Sequence, residues 1–222
     1  MANSTEHDNE WQAPAAAVLQ HYAVDALELK RITRGLVNLT VEITGHGGKR
    51  SILQRLHPVF DANVNQNIDG RITHVANKGM LTPRLVRTRS GDLGVEYGDG
   101  LWRMLSFIEG RALNRVEHSG QAGEAASLLG RFHAALLDFD EALHVTRPPI
   151  HDLQRHLGRL RALLDDPADH RLQSEVSDLA VRLEGLHQKH RAPTPGDPRL
   201  VHGDPKISNV LFAADEDVAC CM

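Results

Sequence analysis

Leu200-Val201-His202-Gly203-Asp204-Pro205-Lys206-Ile207-Ser208-Asn209-Val210-Leu211-Phe212 decides how this chain is read. An apolar pair leads into a polar octapeptide, His202 to Asn209, and a second apolar run leads out of it. That pattern predicts strand, polar loop, strand. The loop holds one carboxylate, Asp204, and one carboxamide, Asn209, five positions apart. Pro205 stiffens the backbone directly after Asp204, because its ring fixes φ.

Outward from that stretch the chain falls into two halves of different character. Immediately upstream, 193–198 is rich in proline and reads as a rigid loop. Before it, 119–139, 152–164 and 172–190 carry helical spacing. In the first of these, Ala122, Ala125, Ala126, Leu129, Phe132, His133 and Leu136 fall along one face and are the expected buried stripe. The N-terminal half alternates instead. Segments 27–34, 39–44 and 51–56, punctuated by Gly35 and by Gly45-His46-Gly47-Gly48, predict a three-strand meander. Segment 61–79 places Val64, Ile68, Ile72 and Val75 on one helical stripe, with Asp61 as N-cap and Gly79 just past the end. Short strands are expected at 84–88, 94–97 and 101–108, and a short helix opens at Pro14 and runs through Tyr22. The fold class is therefore α+β. The expected division is a tail and short helix over 1–26, a sheet lobe over 27–108, and a helical lobe over 109–222.

Composition narrows the function classes. A length of 222 residues at 41% hydrophobic content is enough for one large domain or two small lobes. A net charge of -4 with scattered arginines argues against a nucleic-acid or anionic-membrane binder. No apolar run reaches the roughly 18 residues of a membrane span. The N-terminus is polar and acidic and shows no signal pattern. Cys220 and Cys221 are the only cysteines and are adjacent, which makes neither a disulfide framework nor a metal-ligand spacing. Cytoplasmic residence is the default expectation.

An aspartate and an asparagine at this spacing match what phosphoryl transfer from ATP to a hydroxyl requires. The carboxylate accepts the hydroxyl proton and the carboxamide holds magnesium against the phosphates. Further stretches support the octapeptide: Gly35-Leu36-Val37-Asn38, Ile52 to Leu56 running on to Pro58-Val59-Phe60, Trp102-Arg103-Met104 through Gly110, and Pro149-Ile150-His151-Asp152. On these residues the chain resembles the aminoglycoside phosphotransferase and choline kinase family. Within that family it most resembles the N-acetylhexosamine 1-kinase-like phosphotransferases, over residues 27 to 215.

The resemblance implies a protein-kinase-like two-lobed fold, with a small antiparallel-sheet N-lobe and a mostly helical, incomplete C-lobe. It implies ATP and Mg2+ as cofactors and a small-molecule hydroxyl acceptor as partner. Asp204 would be the catalytic base and Asn209 the metal ligand. Gly35 and Asn38 would form the turn over the phosphates. Ser106, Phe107 and Ile108 would be the hinge strand that reads adenine. His202 is expected to pack beneath the loop, while Lys206 either reaches a phosphate or stands as a solvated lysine.

Two departures from the family pattern stand out. The third strand, Ile52-Leu53-Gln54-Arg55-Leu56, has no lysine, and segment 61–79 offers Asn63, Gln66, Asn67 and Asp69 but no glutamate. Gln54 or Arg55 would then serve at the phosphates. Strand alternation lets only one of them face inward, and the sequence leaves the choice open. A pair between an arginine and Asp69 is one possible arrangement. The family also carries a magnesium-binding aspartate on a further strand. Here Val218-Ala219-Cys220-Cys221-Met222 holds no carboxylate, and Asp215, Glu216 and Asp217 fall in the preceding turn, where they are expected to face solvent. The expectation is a C-terminally truncated relative with impaired transfer. The alternative is a non-catalytic, pseudokinase-like binding module or an inactive fragment.

Other constellations read as structural. His187 and His190 lie on a solvated helix face without a third ligand, and His133 reads as a satisfied core histidine. Gly45 to Gly48 lacks the lysine and following helix of a phosphate loop and is a hairpin turn. Neither the acceptor nor the oligomeric state is legible in the residues.

Overall fold

The computed structural model describes residues 10–33, 37–61, 63–144, 152–165, 171–190 and 199–222. It divides into two compact units, Met1–Arg147 with Leu200–Met222, and Pro148–Arg199.

The first unit is built on an antiparallel sheet. Strands β1 (Ala26–Ile32), β2 (Leu39–Gly45) and β3 (Arg50–Arg55) form the meander expected from the alternation. Strand β6 (Gly100–Ser106) pairs with β3, and β4 (Leu85–Val86) and β5 (Val95–Tyr97) both pair with β6. Alternation then decides what each face carries. Val41, Ile43, Leu53, Trp102 and Met104 turn to one face and are fully or almost fully buried. Ala15 and Val18 of α1 (Gln12–Leu19), with Leu19 and Tyr22, close that core. This helix is shorter than the expected 14–22. Its last turn passes into i→i+3 bonds that end at Tyr22 N–H to Leu19 O, 3.0 Å.

Helix α2 (Asn63–Asn77) starts where predicted, with the Asn63 amide donating to Asp61 Oδ1 at 2.8 Å. It ends at Gly79, whose φ of 83° is a conformation that favours glycine. Helix α3 (Ser119–Ala135) follows, and its buried stripe overlaps the expected one at Ala125, Phe132 and Leu136 but is rotated from it. Gln121, Leu128 and Ala135 are buried, whereas Ala122 and Ala126 are exposed. Leu128 and Leu129 are adjacent and equally apolar, so periodicity alone could not fix the rotation of the helix. Packing of Leu128 against Val210, Phe212 and Ala219 fixes it.

That cluster sits under a second, three-stranded sheet, in the order β7 (Arg111–Ala112), β8 (Leu211–Phe212), β9 (Ala219–Cys221). The predicted strand at Leu200-Val201 is not formed. Leu200 packs instead against the Val75–Ala135–Leu136 cluster as irregular chain. β7 escaped sequence reading because two residues have no period. Its pairing brings Gly110 so close to β8 that a Cβ there would lie 2.7 Å from the Phe212 carbonyl oxygen.

The second unit is a helical hairpin, α4 (Leu153–Asp165) against α5 (Gln173–Lys189), pinned by Arg161 Nε donating to Glu184. No helix among the described residues is long and apolar enough to cross a membrane.

Phe212 is fully buried beneath the loop that precedes it. Phe212→Ala is expected to remove about 3–5 kcal/mol of stability, as truncation of a core aromatic does. The shift of the urea-unfolding midpoint measures it.

Candidate active site

The octapeptide folds as a tight loop between irregular chain and β8. Gly203 adopts φ 83°, which a side chain at that position would resist. A single 3₁₀ turn, Ile207–Asn209, then reverses the chain, with Asn209 N–H donating to Lys206 O and Val210 N–H to Ile207 O. The turn carries Asn209 back onto Asp204. Asn209 Nδ2 donates to the Asp204 carbonyl oxygen and to Asp204 Oδ2, both at 2.9 Å. Lys206 Nζ lies 2.9 Å from the same Oδ2, so this lysine pairs with Asp204 itself. These two donors, Lys206 first and Asn209 second, hold the Asp204 carboxyl below the usual carboxylate range. It is therefore ionised at neutral pH and able to accept a proton.

His202 is a structural residue. Its ring meets Phe132 edge-on at 5.7 Å, and its Nδ1 accepts from the Asp204 amide at 3.3 Å. The His202 amide in turn donates to His133 Nε2 at 3.2 Å. Burial pushes the His202 imidazole toward its neutral form, against the pull of Asp204.

In the turn between β8 and β9, Asp215, Glu216 and Asp217 are all exposed, as expected, and Asp217 in addition collects hydrogen bonds. It accepts from Gln121 Nε2 at 3.1 Å, from His118 Nε2 at 2.8 Å and from Arg111. These donors, Gln121 foremost, hold its carboxyl at about 2. Asp217 thus ties the β8–β9 hairpin to β7 and to the start of α3. β9 itself offers Ala219, Cys220 and Cys221, with no carboxylate, and burial pushes the Cys221 thiol up to about 12.

On the large sheet, Gln54 and Arg55 part company. Gln54 Oε1 accepts from Arg103 Nε at 3.0 Å and from Nη2 at 2.9 Å, while Arg103 Nη1 lies 3.5 Å from Asn65 Oδ1 of α2. Arg55 pairs with Asp99 in the turn between β5 and β6. Asp69 takes Arg87 at 2.8 Å, so the arginine it pairs with is not Arg55. The buried Asn67 exchanges two hydrogen bonds with the His144 backbone, at 2.8 and 2.9 Å. The Asn38 side chain accepts from the His57 amide at 3.0 Å, linking the start of β2 to the chain beyond β3. Gly35 lies outside the described residues.

At the end of β6, Ser106 exchanges bonds with the Arg84 backbone at 2.8 and 2.9 Å. The Arg50 guanidinium lies 3.6 Å over the Phe107 ring, held there by Glu42 and Glu109. Ile108 follows, half-buried.

The donor chemistry fits magnesium and a nucleotide. Asn209 and Asp204 present hard oxygens, and magnesium is commonly held by one or two such groups together with substrate phosphates. No group of three or more His, Cys, Asp or Glu that could hold a metal occurs among the described residues.

Residues 28–221 match the phosphotransferase enzyme family (APH), and the chain belongs to it. Solved structures share its fold at low identity. An amicoumacin kinase in complex with AMP-PNP, Ca2+ and Ami is 16% identical with a TM-score of 0.69, over 95% of this chain and 62% of that one. An aminoglycoside phosphotransferase from Alicyclobacillus acidocaldarius is 16% identical with a TM-score of 0.55, over 93% and 64%. A choline kinase from Cryptosporidium parvum is 17% identical with a TM-score of 0.52, over 88% and 57%. The fold is thus the α+β, kinase-like fold of these enzymes, and the chain spans less than two thirds of the length of each of these three.

The Asp204 carboxyl, being depressed, adds stability that is present above its unfolded value of about 3.9 and is lost as pH falls through the folded value. Lys206→Met should move its titration upward, toward the ordinary range. Carbon-13 NMR of the Asp204 carboxyl reads the shift directly, and added salt should move the wild-type value in the same direction.

Proposed function

We propose that this chain carries the site of a magnesium- and ATP-dependent phosphotransferase acting on a hydroxyl of a small polar metabolite such as a sugar, amino sugar or aminoglycoside. The N-acetylhexosamine 1-kinase-like branch is the closest reading of its motifs. The observation that carries the proposal is the Asp204–Asn209 pair, held within one loop by a single turn. Asp204 orients the acceptor hydroxyl and takes its proton. Asn209 turns its amide nitrogen to Asp204, and its amide oxygen would hold magnesium, which would offset the charge of the phosphates. By the family resemblance, Gly35 and Asn38 would contribute the turn over the phosphates. Gln54 lines the sheet face above them, and Arg55 stands outside that role, since it is paired with Asp99. Ser106, Phe107 and Ile108 would be the hinge that reads adenine, as the end of β6 and the irregular chain beyond it rather than one strand, with the Phe107 ring beneath Arg50. Such a reaction belongs in the cytoplasm, where ATP is available.

A second reading is favoured by one specific observation. β9 bears no carboxylate, so among the described residues the Asp204–Asn209 loop is the candidate for magnesium. A non-catalytic module that binds nucleotide would need no more. The 222-residue chain by itself is therefore expected to turn over slowly.

Thermal melting with and without Mg·ATP, beside an ADP-release assay, separates the readings. Mg·ATP should raise the melting temperature of the wild type, because a ligand of the folded state stabilises it. Asp204→Asn should lower turnover by about 10²- to 10⁴-fold, the usual worth of a positioned base. Asn209→Ala should shrink that shift. A shift without acceptor-dependent ADP release would support the binding module, and a melt indifferent to Mg·ATP would reject both readings.

A further inference from the structure

We propose that Arg103 is the cation that binds the nucleotide phosphates in this chain, with Gln54 as its positioning residue. The inference rests on the nucleotide site proposed above. It adds a phosphate-binding residue that lies outside the Asp204–Asn209 loop.

The argument begins with register. Gln54 of β3 and Arg103 of β6 are direct cross-strand partners, so their side chains leave the same face of the sheet. That face lies opposite the Leu53–Met104 core and is shared by Asn65 of α2. The Arg103 guanidinium is largely buried, and burial draws its pKa down to about 10, so it remains charged at neutral pH.

Its partners are unusual for a buried cation. Three of its five N–H groups are directed at two neutral amide oxygens: two at Gln54 Oε1, 2.9 and 3.0 Å away, and one at Asn65 Oδ1, 3.5 Å away. It meets no carboxylate among the described residues. Arg50, Arg55, Arg87, Arg111 and Arg161 each meet one. A cation taken out of water without an anion is costly, and the cost falls when an anion arrives. Gln54 is suited to this arrangement. It fixes the fork through both Nε and Nη2 without neutralising it, as a glutamate would, and its own Nε2 points to Thr40 Oγ1 at 3.5 Å. Arg103 also keeps partial solvent exposure, so a ligand can reach it. A planar fork with unspent N–H groups matches the oxygens of a polyphosphate. The strand that lacks a lysine at Gln54 is thereby served by a cation from the strand beside it.

Isothermal titration of the 222-residue chain with Mg·ATP, with tripolyphosphate and with adenosine tests this, together with urea unfolding of the ligand-free proteins. Arg103→Met should weaken Mg·ATP and tripolyphosphate by about ten- to a hundredfold, the usual worth of a hydrogen bond to a charged group. Adenosine binding should not change, and Arg103→Lys should fall between Met and the wild type. The ligand-free Arg103→Met chain should unfold at a urea concentration no lower than the wild type, since an uncompensated buried cation has been removed. Unaltered Mg·ATP affinity in Arg103→Met would overturn the proposal. So would a variant that fails to fold, or one whose urea midpoint and adenosine affinity both fall, because Arg103 would then be a brace between β3 and α2. A wild-type chain that binds no Mg·ATP would overturn the nucleotide site itself and this inference with it. That failure is visible before any variant is made.

Discussion

The Asn209 side-chain amide spans the loop it closes, and the rest of the site depends on that closure. Its two 2.9 Å bonds go to the backbone oxygen and the carboxylate of the same residue, Asp204. One 3₁₀ turn sets the reach, Gly203 supplies the left-handed backbone before Asp204, and Pro205 stiffens the backbone after it. None of these would hold an exposed loop in one shape unless its base were fixed. Val210 and Phe212 provide that base. They follow Asn209 directly and are buried with Leu128 and Ala219. Chemistry and packing thus alternate along a few residues of chain, with the exposed polar loop resting on a dry foundation.

The same foundation explains the role of Asp217. It was expected to be a stray turn acid, yet it gathers Gln121, His118 and Arg111 and so fastens the β8–β9 hairpin to the start of α3. An acidic group near a helix N-terminus is also favoured by the backbone dipole. With the hairpin fastened, β8 keeps its pairing with β7, and the loop above keeps its height relative to α3.

Charge on the large sheet is sorted by face. Arg55 leaves one side to meet Asp99, while Gln54 and Arg103 leave the other as a connected pair. Surface ion pairs such as Arg87–Asp69 contribute little stability, because water screens them. The energetically notable group is the largely buried Arg103 guanidinium, which among the described residues is held by amide oxygens. Neutral carboxamides recur across this region, at Gln54, Asn65 and Asn67. They keep the face polar and hydrogen-bonded without settling its charge.

Local pattern alone marks the large-sheet strands, the helices, the α+β class and the Asp204–Asn209 pair, because alternation, helical period and a short loop are all local properties. Asp61 and Gly79 bracketed α2 in the sequence for the same reason. Tertiary structure alone decided which of Gln54 and Arg55 faces α2, that Asp69 takes Arg87, how α3 is rotated, and that Leu200-Val201 is not a strand. Each of these depends on a partner distant in the chain. Register with β6 turned Gln54 toward Arg103, and the cluster beneath β8 drew Leu128 inward in place of its equally apolar neighbour. A local pattern can show that a side chain alternates, but the face it meets is set by the strands and helices that pack against it.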